Sequence, residues 1–187
     1  MDENECVLGF EWPIWKIMSS LTVAPSTENV PNHPSLVQLT YVSTRVAHLQ
    51  DDDIIEMVIK ANYANRRDDI TGCLWFGPRR FFQVLEGPQD KINRLYRKIR
   101  SDTRHYGFKL ISYSTIEERQ FSRWSLAHVA HQEDQVIEQL ILDYTGSDSH
   151  PVSEQSTSVS EKNLLQRIID RLRETLLKQA DSSATSD

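Results

Sequence analysis

Two Gly-Pro pairs, at residues 77–78 and 87–88, divide the middle of the chain into elements of definite type. Residues 81–86 (FFQVLE) lie between them and are rich in aromatic and apolar side chains, which predicts a strand. Residues 70–76 (ITGCLWF) predict another strand just before the first pair, so that pair is expected to turn a hairpin. Because proline fits the first turn of a helix, the second pair is expected to open one.

The flanking segments extend this pattern on both sides. Residues 36–43 (LVQLTYVS) predict a first strand, and the three aspartates at 51–53 then favour the N-terminus of a helix. Residues 108–116 (FKLISYSTI) predict a fourth strand, and residues 124–129 (WSLAHV) a short fifth strand at the edge. The order of elements is therefore β-α-β-β-α-β, followed by one more strand.

This order predicts an α+β fold of the ferredoxin-like βαββαβ type. The expected sheet is mixed, carries an extra fifth strand and has two helices on one face, with C-terminal helices added. Right-handed crossovers favour the strand order 4-1-3-2. We expect strands one and three to be parallel central neighbours.

Composition predicts how the chain is organised outside the central domain. The predicted parts are an N-terminal extension (1–35), the central domain (36–130), a short helix (131–142), a Ser/Thr-rich linker (143–160), an amphipathic helix (161–180) and a disordered tail (181–187). The amphipathic pattern of this helix allows two interpretations. The helix packs on the open face of the sheet, or it forms a dimer seam or a partner-docking surface. The apolar cluster around Trp12 and Trp15 in the extension suggests docking at an unspecified surface.

Charge and residue usage exclude several classes of protein. With 21 Lys+Arg against 27 Asp+Glu the net charge is −6, which argues against nucleic-acid binding. No apolar run approaches the ~18 to 20 residues of a membrane span, and the acidic N-terminus does not resemble a secretory signal. A cytoplasmic location is therefore expected. Cys6 and Cys73 form no C-x-x-C pair, and His128 and His131 have no further ligand at a metal-binding spacing.

Three polar side chains are candidates for a binding site. Strand alternation places Tyr41 and Gln83 on neighbouring strands, and Asn65 continues the apolar stripe of the first helix. If all three face inward, they could satisfy a planar heteroaromatic ligand with several acceptors and a donor. The alternatives are an ordinary core tyrosine, a helix-capping asparagine, and the opposite register, which would expose Gln83.

An ordered set of short motifs is more specific than these patterns. The motifs are Tyr41-Val42-Ser43; Asn65, which precedes Thr71-Gly72; FFQVLEGP at 81–88; Asp102-x-Arg104-His105; and Phe121-x-x-Trp124-Ser125. Over about residues 36–130 the chain resembles the BLUF family of blue-light photoreceptors, which use FAD. The resemblance implies the ferredoxin-like fold, with the isoalloxazine ring held between the two helices.

The resemblance also implies roles for individual residues. Tyr41 matches the photoactive tyrosine of the family, and Gln83 matches the glutamine that bridges this tyrosine and the flavin. Asn65 matches the asparagine that holds the pyrimidine edge of the flavin. Both Tyr41 and Gln83 are thereby expected to contact the cofactor.

Four further positions follow from the same resemblance. Trp124 matches a semi-conserved tryptophan of the fifth strand, whose side chain can lie near the flavin, and completes the photoactive set. Arg104 and His105 match a cofactor-binding pair, with His105 close to the ring. Leu126 stands where the family often has methionine, which removes a polarizable thioether from the coupling of this strand to the flavin.

The implied function is a blue-light sensor, and not an enzyme, that changes its association with itself or with an unknown downstream signalling protein. A homo-oligomer is expected, with no nucleic-acid or membrane partner. FAD is the expected cofactor, although FMN and riboflavin carry the same ring. The alternatives from other classes are a flavin-dependent or small-molecule enzyme on a ferredoxin-like domain and, more weakly, an RNA-interacting domain.

Overall fold

The computed structural model describes residues 35–145 and 159–184. The elements are β1 (Leu36–Arg45), α1 (Asp51–Arg67), β2 (Thr71–Phe76), β3 (Arg80–Pro88), α2 (Gln89–Arg100), β4 (His105–Thr115), β5 (Ala127–Ala130), α3 (Gln135–Thr145) and α4 (Val159–Ala184). The apolar cluster around Trp12, most of the N-terminal extension, residues 146–158 of the predicted linker and residues 185–187 of the predicted tail lie outside the described residues. Helix α4 is longer at both ends than the predicted 161–180, so residues 181–184 are helical.

The five strands form one mixed sheet in the order β4-β1-β3-β2-β5. This confirms the predicted order 4-1-3-2 and the edge position of the fifth strand, which pairs parallel with β2. The prediction of parallel strands β1 and β3 is wrong, because they pair antiparallel. The crossover through α1 makes β1 and β2 run in the same direction, and the hairpin reverses the chain into β3. Lying between them, β3 must therefore oppose both.

Helices α1 and α2 cover one face of the sheet, and α1 does so with its predicted apolar stripe. Ile54, Val58 and Asn65 are the buried residues of α1, and Ile92 is the buried residue of α2. Helix α1 begins at its three aspartates, and the Asp53 carboxylate accepts a hydrogen bond from the Gln50 backbone N–H at 3.0 Å. Acidic groups at this end are favourable because the helix dipole is positive there.

The opposite face of the sheet is covered by α3 and α4. Ile137 of α3 and Ile168 and Leu172 of α4 are fully buried against Trp75 and Phe82 of the sheet. The amphipathic C-terminal helix therefore packs on the face that the first two helices leave open, which was one of the two arrangements expected from its sequence. None of the described helices is long and apolar enough to cross a membrane.

A buried carboxylate joins α3 to α4. Asp134, just before α3, accepts hydrogen bonds from Arg171 Nε at 2.5 Å and Thr175 Oγ1 at 2.9 Å. Burial opposes ionisation of Asp134, but the hydrogen bonds from Arg171 and Thr175 outweigh it and hold the pKa of this carboxyl below its usual value. Asp134 is therefore charged at neutral pH and ties the two helices together.

Candidate cofactor cleft

A cleft lies between α1, α2 and the sheet face beneath them, with a cavity of about 260 Å³. It brings together Tyr41 of β1, Gln83 of β3 and Asn65 of α1, as the alternation of the strands and the helix stripe predicted. Arg104 and His105, at the start of β4, also line it. Apolar walls with a few fixed polar groups are typical of small-molecule sites.

Tyr41 and Gln83 form the central hydrogen bond of the cleft. They are direct partners in the β1–β3 register, and the Tyr41 hydroxyl donates to Gln83 Oε1 at 2.5 Å. Both residues are buried, which excludes the register that would expose Gln83. With Oε1 engaged by the phenol, Gln83 Nε2 has no hydrogen-bond acceptor among the described residues. Since a buried donor without a partner costs about 1–3 kcal/mol, this amide calls for an acceptor in the cleft.

The surroundings of Tyr41 keep its proton on the hydroxyl. Burial raises the pKa of Tyr41 far above its usual value, and the nearby Tyr96 and Asp102 raise it further. The rings of Tyr96 and Phe108 lie 5.6 and 5.8 Å from the Tyr41 ring, centre to centre. The tyrosinate form is therefore strongly disfavoured here. If the ring loses an electron, a neighbouring base is needed to take the hydroxyl proton.

Asn65 uses half of its amide to hold the chain that leads into β5. Its Nδ2 donates to the Ser125 carbonyl at 3.0 Å, which leaves Oδ1 without a donor among the described residues. One turn earlier, Asn62 Nδ2 donates to the Leu126 carbonyl at 2.9 Å. The sequence analysis missed Asn62, although its spacing of three from Asn65 places both amides on one side of α1.

A third donor binds the carbonyl of residue 124, which precedes the two carbonyls bound by Asn65 and Asn62. The backbone N–H of Gly72 in β2 donates to the Trp124 carbonyl at 3.1 Å. A Cβ at position 72 would lie 2.2 Å from the Val84 carbonyl oxygen, so only glycine lets the backbone approach this closely. Three consecutive carbonyls, 124 to 126, are thus each bound by a separate donor, and one of these donors, Asn65, also lines the cleft.

The segment 124–126 directs two large side chains to opposite faces of the sheet. Leu126 lines the cleft. Trp124 packs instead with the cluster beneath α3 and α4, with the Arg123 guanidinium 5.6 Å from its ring centre. The strand β5 begins at Ala127, after the predicted start at 124, so Trp124 precedes the strand. The structure therefore places Leu126, and not Trp124, in the cleft wall.

His105 and Arg104 are held by their own neighbours. His105 Nδ1 lies 2.8 Å from the Ser43 hydroxyl, and burial lowers the pKa of His105 against the opposing influence of Asp102. The imidazole is therefore neutral at neutral pH. Arg104 Nε donates to Asp102 Oδ1 at 2.8 Å. This ion pair holds Arg104, which lines the cleft, and Lys98 lines the same cleft from α2.

Other reactive residue types lie outside the cleft. Glu86 is fully buried on the opposite face of the sheet, where its two carboxylate oxygens accept hydrogen bonds from Gln38, Thr71 and the backbone of residues 120–121. It anchors a loop and has no free side for acid–base chemistry. Cys73 is a buried core residue whose pKa is raised by burial, as expected of an unreactive thiol. Among the described residues no His/Cys/Asp/Glu cluster could hold a metal ion.

The unsatisfied groups of the cleft fit a flavin. The isoalloxazine ring presents acceptors at N5 and O4 beside a single N3–H donor. The cleft offers the complementary pair, a donor in Gln83 Nε2 and an acceptor in Asn65 Oδ1, both left over after the internal hydrogen bonds are counted. Leu126 and other apolar side chains supply walls for the flat ring.

Comparison with known proteins gives a consistent set of matches. The family model described as "Sensors of blue-light using FAD" matches residues 36–127. The chain is 34% identical over 99 residues to the blue light- and temperature-regulated antirepressor BluF of Escherichia coli (strain K12), a match that covers 49% of this chain and 25% of that protein. The chain thus spans only about a quarter of this relative.

Two solved structures match over most of their length. The ground state of BlsA is 30% identical, with a TM-score of 0.56 over 72% of this chain and 87% of that one. The dark state of BlrB, a BLUF protein, is 26% identical, with a TM-score of 0.57 over 73% of this chain and 96% of that one. Both likenesses cover a larger share of this chain than the match to the relative from Escherichia coli does.

Proposed function

The chain belongs to the BLUF family, the sensors of blue light using FAD, and we propose that it signals by a light-driven change in the hydrogen bonds of Gln83. The observation that carries this proposal is the 2.5 Å hydrogen bond from Tyr41 to Gln83, inside a cleft that leaves the other end of the same amide unpaired. An amide can donate at one end and accept at the other, so exchanging its ends changes what it offers to both neighbours.

The proposed cofactor is FAD, bound without a covalent link. Gln83 Nε2 and Asn65 Oδ1 would hold the polar edge of the ring, and Leu126 would pack on it. Arg104 and Lys98 also line the cleft, and their positive charges would favour the phosphates of FAD or FMN over uncharged riboflavin. The ring contacts are the same for all three flavins.

Bound flavin supplies absorption of blue light and, when excited, a strong oxidant. Tyr41 is the aromatic donor that the cleft provides, and a phenol that loses an electron becomes a strong acid. Gln83 Oε1, at 2.5 Å, is positioned to take the proton from Tyr41. With the proton back on Tyr41, the amide of Gln83 would have its donor and acceptor ends exchanged, by rotation or by tautomerisation. The two arrangements make this network a switch.

The proposed route out of the cleft runs through Asn65. Gln83 and Asn65 line the same cleft, so a change in the hydrogen bonds of Gln83 would reach Asn65 through a ligand that both residues hold, and Asn65 also binds the Ser125 carbonyl. The segment 124–126 leads directly into β5 and then into α3. We propose that the output is a change of association with a signalling partner, without a reaction catalysed by the chain itself.

The proposal is tested by expressing the full chain with added flavin and recording absorption in the dark and under blue light. We expect a yellow protein whose flavin band shifts to longer wavelength under light and returns in the dark. Irreversible bleaching, or reduction of the flavin by NADH with turnover, would favour a flavin-dependent enzyme. A protein that binds no flavin would contradict the proposal.

A further inference from the structure

Helix α1 carries an exposed apolar ridge on the side that faces away from the sheet. Ile55, Ile59 and Tyr63 are 37%, 53% and 74% exposed. Their spacing of four residues places them in one row along the helix, beside and outside the row of the buried Ile54 and Val58. An exposed row of large apolar side chains is typical of an interaction surface.

The ridge ends in opposite charges. Asp52 lies seven residues before Ile59, and Arg66 lies seven residues after it, which is the same face of the helix. Both are exposed, and neither side chain is paired with any residue that the structure describes. The neighbouring charges are engaged elsewhere: Asp51 binds Arg45, and Arg67 binds Asp68.

The face Asp52–Ile55–Ile59–Tyr63–Arg66 has the same spacing from either end, with large apolar side chains at its three middle positions and charges of opposite sign at its two ends. If a second helix of the same sequence lies antiparallel across it, Asp52 meets Arg66 and Ile55 meets Tyr63 of the other copy. Ile59 then meets Ile59 on the axis. A two-fold symmetric contact requires this kind of self-complementarity, in which one patch serves both subunits.

We propose that this face of α1 is the interface of a homodimer, with two antiparallel α1 helices related by a two-fold axis at Ile59. The successive spacings of three, four, four and three residues keep one row in contact along helices that cross at a shallow angle of about 20°. A second copy of this chain is the partner that fits, because it places Arg66 opposite Asp52 and Asp52 opposite Arg66. This pairing goes beyond the proposed light response and does not require flavin.

The first test is the mass of the full chain across a concentration series, by sedimentation or light scattering. We expect a monomer–dimer equilibrium that Ile59→Glu shifts to monomer, because two carboxylates would then meet on the axis. Leu110→Glu is the matched control, since Leu110 is 49% exposed on β4, outside the ridge. A wild-type chain that is monomeric throughout, or an Ile59→Glu dimer as stable as the wild type, overturns the proposal.

Charge exchange tests the direction of the pairing. Asp52→Arg and Arg66→Asp each place like charges together twice in the dimer and should raise its dissociation constant roughly tenfold. The double variant restores both pairs with reversed polarity, so its dissociation constant should return towards that of the wild type. A double variant as weak as the single ones, or weaker, overturns the antiparallel arrangement.

Cross-linking tests the position of the axis in a Cys6→Ser background, in which the remaining Cys73 is buried. Ile59→Cys should form an intermolecular disulfide, because this residue meets its own copy. Ile55→Cys should not, because at 1.5 Å rise per residue it lies about 12 Å from its copy along the helices. Efficient cross-linking through position 55 alone, or none through position 59, contradicts the proposal. Dimerisation that survives all changes on α1 would instead point to residues 1–34 or to another surface.

Discussion

Tyr41 and Gln83 are cross-strand partners in the centre of the sheet, and the phenol of one donates to the amide oxygen of the other at 2.5 Å. The pair therefore depends on strand register as much as on residue type. Because side chains alternate along a strand, a slip of one residue would move one member of the pair to the α3–α4 side. The sheet thus fixes the geometry on which the proposed switch depends.

Tyr41→Phe removes the proton donor and little else. We expect the variant to fold and bind flavin, because the ring remains, but to lose the reversible red shift. Absorption spectra in the dark and under blue light measure this directly. Tyr106→Phe is the matched control, since Tyr106 is 58% exposed on β4 and does not line the cleft. A normal light response in Tyr41→Phe would remove this residue from the mechanism.

Gln83→Leu keeps the approximate volume of the side chain and removes both ends of the amide. The variant should bind flavin more weakly, by about 1–2 kcal/mol for one lost hydrogen bond, and should show no signalling shift. Titration with flavin and light-minus-dark spectra check the two effects separately. Gln38→Leu is a control on the opposite face, where this glutamine binds Glu86. An intact red shift in Gln83→Leu would exclude the proposed relay.

Asn62→Ala removes the donor to the Leu126 carbonyl without touching the cleft lining. We expect flavin binding to persist and amide exchange at 127–130 to accelerate about fivefold, the factor for about 1 kcal/mol of hydrogen bonding. Hydrogen-exchange mass spectrometry measures this in darkness and under light. Asn93→Ala is the control, because Asn93 lies on a different helix, α2, where it accepts a hydrogen bond from Tyr113 of β4. Unchanged exchange in β5 would show that Asn62 does not hold this segment.

Leu126 and Trp124 should behave differently although they are two residues apart. Leu126→Ala opens the cleft wall, so we expect weaker flavin binding and a shifted absorption band. Trp124→Phe lies on the opposite face and should leave the position of the band unchanged. Flavin absorption and equilibrium dialysis distinguish the two. The reverse pattern would mean that Trp124, and not Leu126, contacts the ring.

Asp134→Ala should loosen the docking of α4. The variant loses hydrogen bonds to Arg171 and Thr175, and we expect about 2 kcal/mol less stability near pH 7. Because the folded-state pKa of Asp134 is lowered, its contribution is present above the unfolded pKa and is lost as pH falls through the folded value. Urea unfolding near pH 7 and at acidic pH should therefore show a smaller difference in stability between the wild type and Asp134→Ala in acid. Asp170→Ala, at an exposed position, is the control, and a difference that does not shrink in acid would contradict this role.

The sequence predicted the fold and the centre of the site because both follow from local patterns. Alternation along β1 and β3 placed Tyr41 and Gln83 on one face, and helical spacing brought Asn65 to the same side. The predicted parallel direction of β1 and β3 was wrong, because the order of strands in a sheet does not by itself determine their directions. It follows from the parallel crossover and the hairpin taken together.

Other details depended on contacts that no local pattern contains. The short strand β5 starts after Trp124, and the carbonyls of residues 124 to 126, which precede it, are bound by three donors from α1 and β2. For Asn62 the sequence contains only its spacing of three from Asn65, and such a spacing is too common to predict a shared role. Its partner lies 64 residues away in the chain.

The most direct test of the proposed switch is the side-chain amide of Gln83 itself, observed by ¹⁵N NMR with glutamine-labelled, flavin-loaded protein and assigned by its absence in Gln83→Leu. The account predicts that the Nε2 resonances of this one glutamine move under blue light and return in the dark at the rate at which the absorption band recovers. A flavin band that shifts while these resonances stay in place would contradict it.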